Sequence, residues 1–219
     1  MKRNIIAETI VAFAAFTSLG EVTHAASLKN RTLSAATSPY EDLAEAALAK
    51  DVKGVAEALT PAEAHVVAVR NALSPAAVVD QERLLEAIRR AAKARDHQAT
   101  ALNAVEMFRL LIDGREESEQ TKHGVPKEVS LLDYAGFRLH ALAAAPEPNW
   151  REMQTTAADA AKWWGAIKGK VKGKGLRDSF DSTVRGIQQA SAAKNLPMLH
   201  FAAQIDLDLV DLLEAQFTE

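Results

Sequence analysis

Three times this chain writes a helix-forming run, a basic residue, an Asp or Asn, and then another helix-forming run. The copies are AALAKDVKGVAEAL from Ala46, AAKARDHQATALNA from Ala91 and ASAAKNLPMLHFAA from Ala190. A cation suits the negative end of a finishing helix, and an Asp or Asn side chain caps the next one. Lys50-Asp51, Arg95-Asp96 and Lys194-Asn195 therefore predict tight turns inside helical hairpins. The copies are unevenly spaced, so a regular solenoid is not expected.

Other signals agree. Ser38-Pro39-Tyr40-Glu41 and Thr60-Pro61-Ala62-Glu63 read as helix starts, each with a capping hydroxyl, a Pro at the first helical position and a Glu two places on. Ser74-Pro75 gives the cap and Pro alone, and Asn149 and Asp178 are later caps. Alanine, the best helix former, supplies about a fifth of the residues. Only His65 to Val69 has β-like content, and it lies inside a helical pattern. Trp150, Met153, Ala157, Ala160, Ala161, Trp164, Ile167 and Val171 recur on one side at helical spacing, and Phe180, Val184, Ile187 and Ser191 continue the rule. Such stripes must be buried against one another. The expected fold is all-α: an antiparallel helical bundle of several αα-hairpins with no significant β-sheet.

The N-terminus reads differently. Lys2 and Arg3 precede a mostly apolar Ile10 to Gly20, and Thr23-His24-Ala25 ends in a small residue. Residues 1–25 are therefore expected to be a signal peptide, which places the product in the periplasm. Residues 26–37 are expected to be a loose arm, and residues 38–219 a single bundle domain. Within it, the polar DGREESEQTKHGVP, Asp113 to Pro126, is expected to loop between two halves. KGKVKGKGLR, Lys168 to Arg177, marks another break; it lacks the Gly-Lys-Ser/Thr ending of a phosphate loop. No stretch after the signal segment approaches the length of a membrane span.

Composition removes several chemistries. The chain has no cysteine, hence no disulfide, thiolate nucleophile, iron–sulfur cluster or covalent c-type haem. A net charge of −3 and a pI near 6.1 imply no general affinity for nucleic acid. No HExxH or Gly-x-Ser-x-Gly motif occurs, and no Glu-x-x-His after the signal segment, so no catalytic residue, cofactor or metal is assigned.

Two segments carry candidate binding residues. In NLPMLHFAAQIDLDLVDLLEAQF, Asn195 to Phe217, a Met, a His and three Asp suggest a metal site. On a helix that impression dissolves. Met198, Phe201, Ala202, Ile205, Leu209, Leu212 and Leu213 share one face, while His200, Gln204 and Asp211 lie nearly opposite, with Asp208 at the margin. These polar residues form a solvated stripe. Asp206 falls on the flank of the apolar face, so a partner for its carboxylate is expected, or a ligand. In SLLDYAGFRLHAL, Ser130 to Leu142, a second face carries Asp133, Gly136 and His140, and the Gly admits a neighbouring helix or a planar ligand. Asp133, Gly136, His140 and Asp206 are the ligand-binding candidates. The expected function is an exported binding or accessory module without catalytic activity, its partner an envelope protein or a small molecule. The alternative is a haem or metal protein with ligands from separate helices, such as His97 or His140 with Met107.

Overall fold

A computed structural model describes residues 28–116 and 125–218. The expected signal peptide, residues 1–25, and residues 117–124 of the expected polar loop lie outside the described residues. The chain is all-α, with no strand among the described residues. Its helices are α1 (residues 28–35), α2 (Ser38–Leu48), α3 (Val52–Ala64), α4 (Val66–Ala72), α5 (Pro75–Ala94), α6 (His97–Gly114), α7 (Lys127–Ala143), α8 (Trp150–Ile167), α9 (Lys174–Ala192) and α10 (Leu196–Thr218). A 3-10 turn, Lys168–Lys170, follows α8.

The three expected hairpin turns fall where the basic residues stand. Lys50, Arg95 and Lys194 have φ of 59°, 55° and 54°, the left-handed conformation that ends a helix. The next residue then donates its N–H five residues back: Asp51 to Ala46 O at 2.9 Å, Asp96 to Ala91 O at 3.0 Å, Asn195 to Ala190 O at 2.8 Å. Its side chain caps the following helix, accepting from Lys53 N, Ala99 N and Met198 N respectively. One dipeptide thus ends one helix and starts another, giving the pairs α2–α3, α5–α6 and α9–α10.

Several expectations fail locally, among them the cap at Asp178, which lies inside α9. Residues 28–35 are helical rather than a loose arm; Leu33 and Ala36 are fully buried, and Asn30 exchanges two hydrogen bonds with the Glu116 backbone at 2.8 Å. Because helix already precedes it, α2 starts without a side-chain cap, and the chain passes through a turn at Ala36 and Thr37. Thr60-Pro61 does not start a helix either. Pro61 lies inside α3, whose buried Val55, Ala58 and Ala62 make one unbroken stripe across the expected boundary. Burial of that stripe outweighs the local stop signal, and the helix ends only at Ala64. Asp113 and Gly114, assigned to the polar loop, close α6 instead.

α7 is the spine. It packs against α2, α6, α8 and α10, and its residues enter every core cluster. Leu131, Tyr134, Phe137 and Ala141 join the N-terminal core built from α1 to α6, whereas Val129, Leu132 and Ala135 meet Trp164, Phe180 and Val210. Leu139, Leu142 and Ala143 complete a third cluster with Met153, Ile187 and Leu199. Arg138 ties the spine to its neighbours through Glu106 (2.9 Å), Glu152 (3.1 Å) and the Thr156 hydroxyl (2.8 Å). Trp164 stacks on Phe180 with ring centres 4.6 Å apart and donates its indole N–H to Asp181 at 2.7 Å, fixing α8 to α9.

Candidate functional site: an acidic groove between α2, α7 and α10

α10 packs with a face different from the expected one. The buried residues are Leu199, Ala202, Ala203, Asp206, Val210 and Leu213, whereas Met198, Phe201 and Leu212 point outward. Small residues explain the rotation. α7 brings Gly136 beneath Leu207 so closely that a Cβ there would clash, whereas α9 faces Ala202 with Gly186, where a Cβ would fit at ordinary van der Waals distance. Helices approach closely where side chains are small, so the Ala residues face inward and the bulky apolar ones do not. Met198 is exposed while His200 faces α7, so the two side chains point apart as expected.

The rotation turns the polar stripe of α10 toward α2. A groove of about 390 Å³ opens between them over α7. Glu41, Asp42, Glu45 and Leu48 line it from α2, and Asp133, Phe137 and His140 from α7. Gln204, Leu207, Asp208 and Asp211 line it from α10. Six of these eleven side chains are carboxylates, and none is Lys or Arg. Neither α2 nor α10 contains a basic residue other than His200. Arg115 does not line the groove but is close enough to be influenced by Glu214, Asp113 and Glu41. Burial lowers its pKa; one guanidinium nitrogen reaches the Ser34 hydroxyl at 3.3 Å, and Nη2 is buried without a partner among the described residues.

Four carboxyl groups in and beside the groove resist ionisation. Burial pushes Glu41 up to about 7, assisted by repulsion from Glu214, Asp42 and Glu45. Asp133 is raised well above the usual carboxylate range, chiefly by burial and then by Glu41, Glu214, Asp206 and Asp211. Glu45 and Glu214 are raised too, by burial first and by Asp residues that include Asp211. Repulsion between Glu45 of α2 and Asp211 of α10 acts across the groove. Such mutual repulsion is relieved by an incoming positive charge.

Of the sequence candidates, Asp133 and His140 line this groove, and Gly136 and Asp206 do not. Gly136 makes room for Leu207: a Cβ at residue 136 would lie 2.5 Å from Leu207 Cδ2 and 3.4 Å from Asp206 Oδ2. Asp206 is fully buried behind the groove wall. The expected partner for its carboxylate is missing among the described residues, because both oxygens lack a hydrogen bond. Burial pushes its pKa up to about 8, so it is held neutral. His140 faces His200, Nδ1 to Nδ1 at 3.1 Å, so one ring donates and the other accepts. Its Nε2 is buried without a partner among the described residues. Burial and the neighbouring His200 lower its pKa to about 4, which keeps it uncharged.

The sequence reading missed Glu41, Asp42 and Glu45; Gln204, Asp208 and Asp211 are exposed, as it expected, and what it did not foresee is that they also line a groove. A signal was present: two acidic helical faces, each lacking the basic residue at i+3 or i+4 that usually accompanies an exposed carboxylate. No group of three or more His, Asp or Glu among the described residues is arranged to hold a metal ion. Met107 is sealed in the N-terminal core. Comparison with family models, with curated proteins and with solved structures finds no match to this chain.

Proposed function

We propose that this chain is an exported, non-catalytic binding module whose acidic groove holds an organic cation, an ammonium or guanidinium group on an aliphatic stem. One observation carries the reading: six carboxylates from three helices surround a single groove whose walls contain no Lys or Arg. Uncompensated charge of one sign in a concave site attracts a ligand of the other sign. Leu48, Phe137 and Leu207 give the same walls an apolar component, which suits a methylene chain rather than a bare ion. The volume lies within the range of about 300–1,000 Å³ common for small-molecule sites. Export is supported by Lys2 and Arg3, the apolar Ile10 to Gly20 and the small residue Ala25. A mature protein whose first residue, read by mass spectrometry, is Ala26 is the expected result.

Calorimetric titration of the mature protein with putrescine, spermidine and Mg²⁺ tests the groove. Spermidine should bind more tightly than putrescine, Mg²⁺ should bind weakly, and Asp133→Asn and Asp208→Asn should each lower spermidine affinity about tenfold. Equal affinity of wild type and both variants for spermidine would reject the groove as the receptor.

A further inference from the structure

The outer side of α10 is apolar. Met198, Phe201 and Leu212 are 49%, 64% and 55% exposed, and Ile205 and Leu209 lie half-buried between them. These five side chains are spaced three, four, four and three residues apart, so they form one stripe about 21 Å long at 1.5 Å per residue. A stripe with this period fits the apolar face of another helix. One of its borders is charged. Gln204 and Asp208 run beside the stripe and, with Asp211 behind them, also line the groove.

Charge decides what fits there. A second copy laid antiparallel on the stripe would set the acidic border of one α10 against the acidic border of the other, and no Lys or Arg on α10 offsets them. An anionic lipid surface meets the same repulsion. An amphipathic helix with Lys or Arg along one flank satisfies both features. Its apolar residues cover Met198, Phe201, Ile205, Leu209 and Leu212, and its cationic side chains pass Asp208 into the groove. We propose that the stripe and the groove together form the docking surface for a basic amphipathic helix of a protein partner. This rests on the groove being a cation receptor and identifies the carrier of the cation as a side chain.

The test uses the mature full-length chain and two labelled 18-residue peptides read by fluorescence anisotropy. Both carry Leu at helical spacing; one has Lys along a single flank and the other has Glu there. The Lys peptide should bind, with affinity falling as salt rises, and the Glu peptide should bind at least about tenfold more weakly. Phe201→Ser and the double variant Asp208→Asn/Asp211→Asn should each weaken the Lys peptide about tenfold or more. All these positions are exposed, and circular dichroism checks that the variants keep their helix content. Phe201→Ser should leave spermidine binding unchanged. If spermidine binds the groove but neither peptide does, the docking proposal fails while the cation-receptor reading stands. If spermidine does not bind and both peptides bind equally, both readings fail. A dimer by light scattering that Phe201→Ser dissociates, without peptide binding, overturns the proposal in favour of self-association. So does binding to vesicles of anionic lipid in preference to the Lys peptide.

Discussion

Asp206 concentrates the cost of this architecture in one side chain. It is a carboxyl group with no exposed surface and no hydrogen-bond partner among the described residues, so it stays protonated up to a pH of about 8. An unfolded chain ionises the same group near pH 4. Its contribution to stability is therefore full below about pH 4 and is lost as the pH rises toward 8. Asp206→Asn keeps the shape and removes the titration. The variant should be more stable than the parent at pH 7, by a few kcal/mol, with a difference that shrinks toward pH 4. Urea denaturation at pH 4.5, 6 and 7.5 reads it; a difference constant with pH would mean that the carboxyl group is ionised in the fold. Gly136 is the companion case. Ala favours a helix by about 1 kcal/mol over Gly, yet its methyl would displace Leu207. Gly136→Ala should lower stability by about 1–2 kcal/mol, and spermidine affinity should fall with it because Leu207 lines the groove. Stabilisation without loss of binding would show that Leu207 moves freely.

At the scale of the element, the basic residues that end α2, α5 and α9 do two jobs at some steric cost. A side chain in the left-handed region costs about 1–2 kcal/mol relative to Gly, which adopts it freely. Arg95 is exposed and, among the described residues, makes no ion pair. Arg95→Gly should raise stability by about 0.5–1 kcal/mol. Asp96→Ala removes the acceptor of the Ala99 N–H and should lower stability by about 1 kcal/mol. Thermal melts of the two variants should therefore move in opposite directions. A fall in both would mean that Arg95 contributes through its charge at the helix end, not through the turn. The failed start at Thr60-Pro61 teaches the complementary point. A local stop signal yields where Val55, Ala58 and Ala62 are buried on both sides of it.

For the whole molecule, α7 matters because it carries both the core and the groove floor. Its neighbours α2 and α10 hold like charges facing each other, and this separation is maintained by the packing of all three helices. Glu41, Glu45 and Asp133 of the groove are raised, Glu41 to about 7. The fold gains from their protons in acid and loses that gain as the pH rises through 7. A bound cation favours the ionised form, so binding releases protons. Spermidine affinity should therefore increase from pH 6 to pH 8, and added spermidine should raise the melting temperature more at pH 8 than at pH 6. Calorimetry in buffers of different ionisation enthalpy measures the released protons. An affinity that does not change over this range would place the cation away from Glu41.

Much of this was written in the string of residues. The turn at Lys50-Asp51 and its two counterparts, the stripe from Trp150 to Val171 and the absence of strands among the described residues depend on neighbours within a few positions, and such interactions are legible locally. The candidate site was half legible. Asp133 and His140 share a face of α7 by spacing alone, and they do line the groove. What tertiary packing decided was how each helix is rotated about its own axis. The amphipathic arc of α10 is wide enough to seat in more than one way, and Gly136, with the small Ala202 and Ala203 on the buried face, chose the orientation by letting α7 and α10 approach. That choice sealed Asp206 inside, turned Asp208 and Asp211 toward Glu41 and Glu45, and left Phe201 outside. Residues more than 80 positions apart in sequence meet there, and nothing local records such a meeting.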